Sequence, residues 1–332
     1  MVKNQIMSDI KLTLKNNETI AFISDIHIDS QTPNSRIDDI LETACDKLND
    51  IYKKCVENNV KAVFCEGDIF NRISEPYIVI NMLGVILNRF REAGIEVYSI
   101  CGNHDLVRNS TEKLDRSPIQ TLFTFGMVTH ICLDTKVVIN DNILITPVDY
   151  TEYPVKADKS FKTNILLAHM FFNANKFMAD EKHNITSSNL KDWKYDVVVL
   201  GHDHTEYPMV EDEGTIVIRH GSLLRGTAHN YNFERVPNFV LFSDINNITK
   251  DTIKKIEVVH KPYKDIASNY ILNKKNEGTL SGLQDVLSNL ADKLTMSSEE
   301  DSDRILDIIK SDSKLPNEVR LQILQYINQY CS

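Results

Sequence analysis

Ile95-Glu-Val-Tyr-Ser-Ile-Cys-Gly-Asn-His-Asp105 is a short apolar run that stops at a glycine and then presents three polar, ligand-type side chains. The run reads as a buried strand, and the glycine permits a tight turn and close backbone approach. Working outward, the same pattern recurs four times. Strand 19–24 is followed by Asp25-Ile26-His27, and strand 61–66 by Gly67-Asp68. Strand 164–168 is followed by His169, and strand 195–200 by Gly201-His202-Asp203-His204. Between the first three runs lie two helical patterns. Residues 36–58 repeat Ile37, Ile40, Leu41, Ala44, Leu48, Ile51, Tyr52 and Cys55 at steps of three and four, and 77–93 close at Gly94. The βαβαβ order predicts parallel strands with helices covering the sheet.

The second half carries shorter runs. Residues 127–133, 136–140 and 142–146 read as an antiparallel meander, and 215–219, 238–243 and 254–259 as further strands. This count suits a mixed α/β fold with two sheets packed face to face better than one doubly wound sheet. No GxGxxG or P-loop occurs. Past residue 262 the strand signals stop. Leu280, Leu283, Leu287, Leu290 and Leu294 form a leucine seam, a polar stretch runs from Ser297 to Asp303, and helices are expected near 304–310 and 316–330. The expected division is therefore 1–262 as the main domain, 263–296 as linker and seamed helix, and 297–332 as tether and terminal helices.

Composition is that of a globular protein: 332 residues, 25% charged and 42% hydrophobic. No apolar run reaches the roughly 18 residues of a membrane span, and residues 1–15 lack the pattern of a secretory signal, so a cytoplasmic protein is expected. The six cysteines form no CxxC pair and read as buried, reduced thiols. A net charge of −10 argues against nucleic-acid binding. Bound divalent cations would reverse the sign locally.

Ligands outside the carboxyl ends of strands are the rule in α/β sheets. Five of the ten histidines stand in such positions here. Imidazole and carboxylate donors without thiolate suit manganese, iron, zinc or similar ions. Asp68 is placed to bridge two ions about 3.5–4 Å apart, the spacing of two-metal hydrolysis. Asp25, His27 and His204 would complete one site, and Asn103, His169 and His202 the other. His130, His183, His229 and His260 have no such context and read as ordinary surface or core residues, and His220 is left open beside Gly221-Ser222. Arg72 and Arg108, just beyond two of the motifs, are the local candidates for phosphate contacts.

The ordered set Asp25-x-His27, Gly67-Asp68, Gly102-Asn103-His104-Asp105, His169 and Gly201-His202-x-His204 resembles the calcineurin-like metallophosphoesterase superfamily over about residues 19–245. Gly67-Asp68-Ile69-Phe70, Gly102-Asn103-His104-Asp105 and Gly221-Ser222-Leu223-Leu224-Arg225 resemble, more narrowly, the SbcD-type nuclease subunit of double-strand-break repair, in its small phage-type form. That resemblance implies a four-layer α/β/β/α sandwich with a C-terminal helical appendage, two divalent ions with Mn²⁺ preferred, and a DNA substrate. It implies an SbcC-type ABC ATPase partner with a coiled coil, leaves room for a homodimer, and would place a phage-encoded chain in the host cytoplasm. It assigns 263–296 as a reduced capping region and 297–332 as partner-docking helices. His104 becomes the non-ligand histidine that faces the scissile phosphate. One departure is Asn71, where the family usually has His or Asp. A phosphatase or phosphodiesterase acting on a small nucleotide or phosphoprotein is the alternative function.

Overall fold

The computed structural model describes residues 9–173, 183–227 and 231–268. The described residues up to Ile266 belong to one compact unit. The leucine seam, the polar stretch and the terminal helices expected past residue 268, and His229, lie outside the described residues.

Two sheets form the body. The six-stranded sheet comprises β2 (Thr19–Ile23), β3 (Val60–Cys65), β4 (Glu96–Ser99), β5 (Thr129–His130), β14 (Asn238–Phe242) and β15 (Ile253–Glu257), in the order β15-β14-β2-β3-β4-β5. The seven-stranded sheet comprises β1 (Asp9–Leu12), β6 (Lys136–Ile139), β7 (Ile143–Val148), β8 (Thr163–His169), β11 (Val197–Gly201), β12 (Val210–Asp212) and β13 (Thr215–Ile218), in the order β1-β6-β7-β8-β11-β13-β12. A small pair, β9 (Phe171–Phe172) and β10 (Asn184–Ile185), stands apart. As expected, β2, β3 and β4 run parallel.

Alternation along each strand decides the layers. In β2, Ile20 and Phe22 enter the core between the sheets, while Ala21 and Ile23 face the helices α1 (Ile40–Glu57) and α2 (Tyr77–Glu92). In β8 and β11, Ile165, Leu167, Val197 and Val199 face the inter-sheet core. Leu166, Ala168, Val198 and Leu200 meet Leu190 and Trp193 of α4 (Ser187–Trp193) on the outer side. The result is the expected α/β/β/α order. Shorter helices, α3 (Pro118–Thr124), α5 (Tyr231–Glu234) and α6 (Tyr263–Ile266), lie in connections.

Two local expectations are corrected. The first helix starts at Ile40 and not at 36, because the Asp39 carboxylate accepts from Glu42 N at 3.0 Å and caps it, a contact worth about 1 kcal/mol. Ile37 consequently lies outside the helix, 67% exposed. The antiparallel meander is one hairpin only. β6 and β7 pair antiparallel, whereas β5 joins β4 in the other sheet, in parallel. Strand propensity is local, and partner choice is set by which face must be buried.

Candidate metal centre

Every sequence-predicted site residue lies at the carboxyl end of a strand. Asp25 and His27 follow β2, Asp68 follows β3, and Asn103 and His104 follow β4. His169 ends β8, and His202 and His204 follow β11. The first three loops leave one sheet and the last two leave the other. They meet: Asp25, His27, Asp68 and His204 form one group of ligand-type side chains, and Asp68, His169 and His202 a second.

The backbone bends sharply to achieve this. Asp25, His27, Asp68 and His202 have φ of 44, 47, 50 and 83°. Left-handed non-glycine residues are uncommon and concentrate at functional sites. Gly102 is required by approach and not by φ. A Cβ there would stand 2.1 Å from Asp68 Oδ1 and 2.7 Å from Asp68 N. Backbone bonds tie the loops together: His27 N donates to Asp68 O at 2.9 Å, and Leu223 N to Asp25 O at 3.0 Å.

Asp68 is shared. Its Oδ1 accepts from His104 N at 2.8 Å. Its Oδ2, buried and without any hydrogen-bond partner, stands 3.1 Å from His169 Nε2 and 3.6 Å from His27 Nε2. His169 Nδ1 lies 2.7 Å from the carbonyl of Glu66. A carbonyl only accepts, so Nδ1 carries the proton and Nε2 is directed at Asp68 Oδ2 and at Asn103 Oδ1, 3.1 Å away. Across the site His27 Nε2 faces His204 Nε2 at 2.9 Å, and these atoms lie 3.7 and 3.8 Å from Asp25 Oδ1. Carboxylate, amide and imidazole donor atoms thus converge on two points. A cation at each point satisfies this donor set, so the residues present fit a pair of divalent ions with Asp68 as the common ligand.

The electrostatics agree with that fit. Burial would raise Asp25, but the neighbouring His27, 3.7 Å away, and the charges of His169 and His204 hold it well below its ordinary value. Burial would likewise raise Asp68, and His169 and His104 outweigh it. Burial works against charge on His169, yet the Asp68 carboxylate lifts it to about 9. Burial, then the neighbouring His27, pushes His204 down to about 3. His202 is held well below its ordinary value by burial and by His169. His202 and His204 therefore present unprotonated nitrogens at neutral pH, and His169 would have to give up a proton to hold a cation.

His104 stands beside the site, its ring 4.7 Å from that of His27 and nearly perpendicular to it, and belongs to neither ligand group. Its Nδ1 donates to the backbone carbonyl of Asn71 at 2.7 Å, and its buried Nε2 has no partner. The side chain of Asn71 turns away and donates to Asp29 Oδ2 at 2.7 Å. The Asn71 departure is thus met by a main-chain contact that any residue type supplies.

Three further residues support the site: Asp105, which the motif after the third strand already contains, His220, which the sequence leaves open, and Tyr150, which carries no sequence signal. Asp105 accepts from Gly102 N at 3.1 Å and Phe70 N at 3.2 Å, joining the loops after β3 and β4. His220 pairs with Glu66 at 2.6 Å, both fully buried, and Glu66 in turn orients His169. Tyr150 packs its ring 5.5 Å from His202 and 6.0 Å from His169. Arg72, a candidate for phosphate contacts, is engaged within the chain. Its guanidinium reaches Asp29 at 2.5 Å and Glu75 at 3.2 Å. Arg108 is exposed. Arg225 is buried and donates to the carbonyls of Arg235 and Lys261, so it braces the loop.

Among the described residues no helix is long and apolar enough to cross a membrane. No curated protein matches the chain. A dimetal phosphatase from Danio rerio aligns over 75% of this chain and 100% of its own, at 12% identity and a TM-score of 0.47. A second crystal structure aligns over 73% and 99%, at 11% identity and a TM-score of 0.44. The calcineurin-like phosphoesterase family matches residues 18–206, more than half of the chain and all of the strand-end ligands. With its ligands converging from two facing sheets on a shared aspartate, the chain belongs to the calcineurin-like phosphoesterase family.

Proposed function

We propose that this phosphoesterase is a two-metal DNA nuclease subunit, an exonuclease or endonuclease. It hydrolyses phosphodiester bonds in recombination and double-strand-break repair, beside an SbcC-type ATPase. The observation that carries the hydrolytic reading is Asp68 Oδ2, a buried carboxylate oxygen without a hydrogen bond, shared by the two ligand groups. The nuclease reading rests on the motifs Gly67–Phe70, Gly102–Asp105 and Gly221–Arg225. Manganese is the proposed ion, as the SbcD-type resemblance implies, and a donor set of oxygen and imidazole nitrogen without thiolate is compatible with it.

Asp25, His27, His204 and Asp68 would hold one ion, and Asp68, Asn103, His169 and His202 the other. Bound there, two divalent ions supply a lowered pKa for attacking water and positive charge for the phosphate oxygens. The chain supplies the rest. Asp68 and Asp25 fix the ligand frame through their backbone contacts to His104 N and His202 N. His104 presents Nε2 to the departing oxygen. Burial keeps its ring neutral, and the Asn71 carbonyl favours the charged form by accepting from Nδ1. An arriving phosphate anion tips the balance, so that Nε2 holds a proton where negative charge develops.

Cleavage of bis-p-nitrophenyl phosphate, p-nitrophenyl phosphate and linear duplex DNA, each with Mn²⁺, tests the reading. A nuclease cleaves the diester and the duplex and spares the monoester. Preference for the monoester without duplex cleavage selects the alternative, a phosphatase for a small nucleotide or phosphoprotein. One observation favours that alternative: Arg72 is engaged by Asp29 and Glu75, which leaves fewer cations beside the site for a duplex. For the partner, truncation after Met296 is expected to retain diester cleavage and abolish co-purification with the ATPase.

A further inference from the structure

We propose that Cys101, His130 and Asp149 form a third metal site, separate from the two-metal centre and selective for a zinc-like cation. Cys101 lies just past the end of β4, His130 ends β5, and Asp149 follows β7 in the other sheet. Their donor atoms all lie within 4.8 Å of one another. Cys101 Sγ is 3.6 Å from His130 Nε2, and that nitrogen is 2.9 Å from Asp149 Oδ2. With Zn–S about 2.3 Å and Zn–N about 2.0 Å, tetrahedral ligand atoms stand about 3.5 Å apart. The sulfur and nitrogen already have that spacing.

A hydrogen-bonded triad accounts for these atoms less well. The His130 N–H goes to the Asp149 carboxylate at 2.9 Å, which leaves the Cys101 sulfur, 3.6 Å from the same nitrogen, only a weak hydrogen-bond contact. A cation serves all three. Each donor is also held in place by a second contact. Asp149 Oδ1 accepts from Cys101 N at 2.6 Å, which turns Oδ2 toward the ring. The His130 ring stacks on Phe123 at 4.8 Å, 15° from parallel. Glu152 Oε2 accepts from the backbone N of Asp149 at 2.9 Å and of Leu133 at 2.8 Å, placing a second carboxylate next to the cluster.

Charge and softness select the ion. A thiolate and a carboxylate balance a dication, and thiolate with imidazole suits zinc, whereas manganese prefers oxygen. Cys101 and Asp149 are buried, while the His130 side chain keeps 16% exposure, which gives an ion a way in. Three protein donors leave a fourth position for water. The site joins the two sheets at the end where the two-metal centre lies. Asn103 is two residues beyond Cys101, and Tyr150, next to Asp149, packs on His169 and His202. An ion here would pin loops that carry the other two.

The test uses the full chain, stripped with chelator, saturated with Mn²⁺ and titrated with Zn²⁺ or Co²⁺. The expected result is one equivalent of Zn²⁺ more in the unaltered chain than in Cys101→Ser, since Zn²⁺ also displaces Mn²⁺ from the two-metal centre. With Co²⁺ a near-ultraviolet thiolate-to-cobalt charge-transfer band should appear, which the oxygen and nitrogen donors of the two-metal centre cannot produce. Asp68→Asn should retain the band, so failure of the two-metal reading and failure of this one are separable. Cys101→Ser and His130→Gln should abolish it and weaken Zn²⁺ by more than about 100-fold, beyond what loss of an outer partner costs. Cys132→Ser should leave it intact. If Cys101→Ser does not fold, the partly exposed His130→Gln carries the test alone. Absence of the band in the unaltered chain under excess Co²⁺ overturns the proposal, as does its survival in Cys101→Ser or His130→Gln.

Discussion

Replacing Asp68 with Asn is the sharpest perturbation of the two-metal centre, because it is nearly isosteric and removes one charge. The amide can still accept from His104 N through Oδ1, a contact of 2.8 Å, so the loop after β4 has no reason to move. At the Oδ2 position the variant places an NH₂ group, 3.1 Å from His169 Nε2 and 3.6 Å from His27 Nε2. That group donates to the very nitrogens that should bind metal. The charge that lifts His169 to about 9 is lost as well, so its ring becomes neutral near pH 7. Loss of a shared carboxylate should weaken both ions by more than the 10–100-fold typical of an outer ligand partner. Hydrolysis should fall by about 10³-fold or more, corresponding to the several kcal/mol that metal charge supplies in the transition state. Calorimetric titration with Mn²⁺, with bis-p-nitrophenyl phosphate turnover measured in parallel, reads both effects. Two ions bound at unchanged affinity would refute the bridging assignment, whatever happened to the rate.

His104→Gln should retain both ions and lose about 10²–10⁴-fold in rate, whereas His169→Ala should lose metal; indistinguishable Mn²⁺ titrations would remove the distinction in role. Lys47, 2% exposed and surrounded by Arg225, Arg235 and Arg36, is pushed down to about 6, first by burial and then by those charges. Between about pH 6 and its ordinary value the unfolded chain binds the extra proton, so this residue makes stability rise with pH, and its penalty is complete below pH 6. Lys47→Met should raise stability at pH 7 by roughly 1–3 kcal/mol and flatten that pH dependence; denaturant melts at pH 6 and 9 with equal slopes for both proteins would contradict it. Arg108→Asn, chosen because Asn tolerates the φ of 54°, should lower duplex cleavage and reduce its salt slope by about one, leaving the small diester unchanged. Arg72→Ala should impair both substrates alike, because it frees Asp29 and Glu75 beside the Asn71 carbonyl that orients His104; a loss confined to DNA would return Arg72 to the phosphate-binding group.

What could be read from the chain before folding, and what could not, divides along one physical line. Asp25, Asp68 and His202 were legible as candidates because an apolar strand and the turn that ends it are contiguous, and the turn carries the ligand. The face-to-face sheets were legible in the number of short apolar runs, too many for one doubly wound sheet. The meander was misread because strand pairing is nonlocal: nothing in Thr129–His130 states that it joins β4 and not β6. The orientation of His104 depends on a backbone carbonyl 33 residues away, and a main-chain acceptor has no residue signature. Cys101 and His130 read as an ordinary thiol and imidazole, and Asp149 carries no signal, because 29 and 19 residues separate the three. The ligand frame itself is the costly part of the fold. Four of its residues sit at positive φ, a strain of about 1–3 kcal/mol each, on loops leaving two different sheets. Local preference cannot hold such loops. The inter-sheet core beneath them does, through Phe22, Phe64, Ile165 and Val199, none more than 1% exposed. The residues that shape the site are therefore mostly not those that perform its chemistry. Asp68 is both, held by Gly102 on one side and directed at the metal positions on the other.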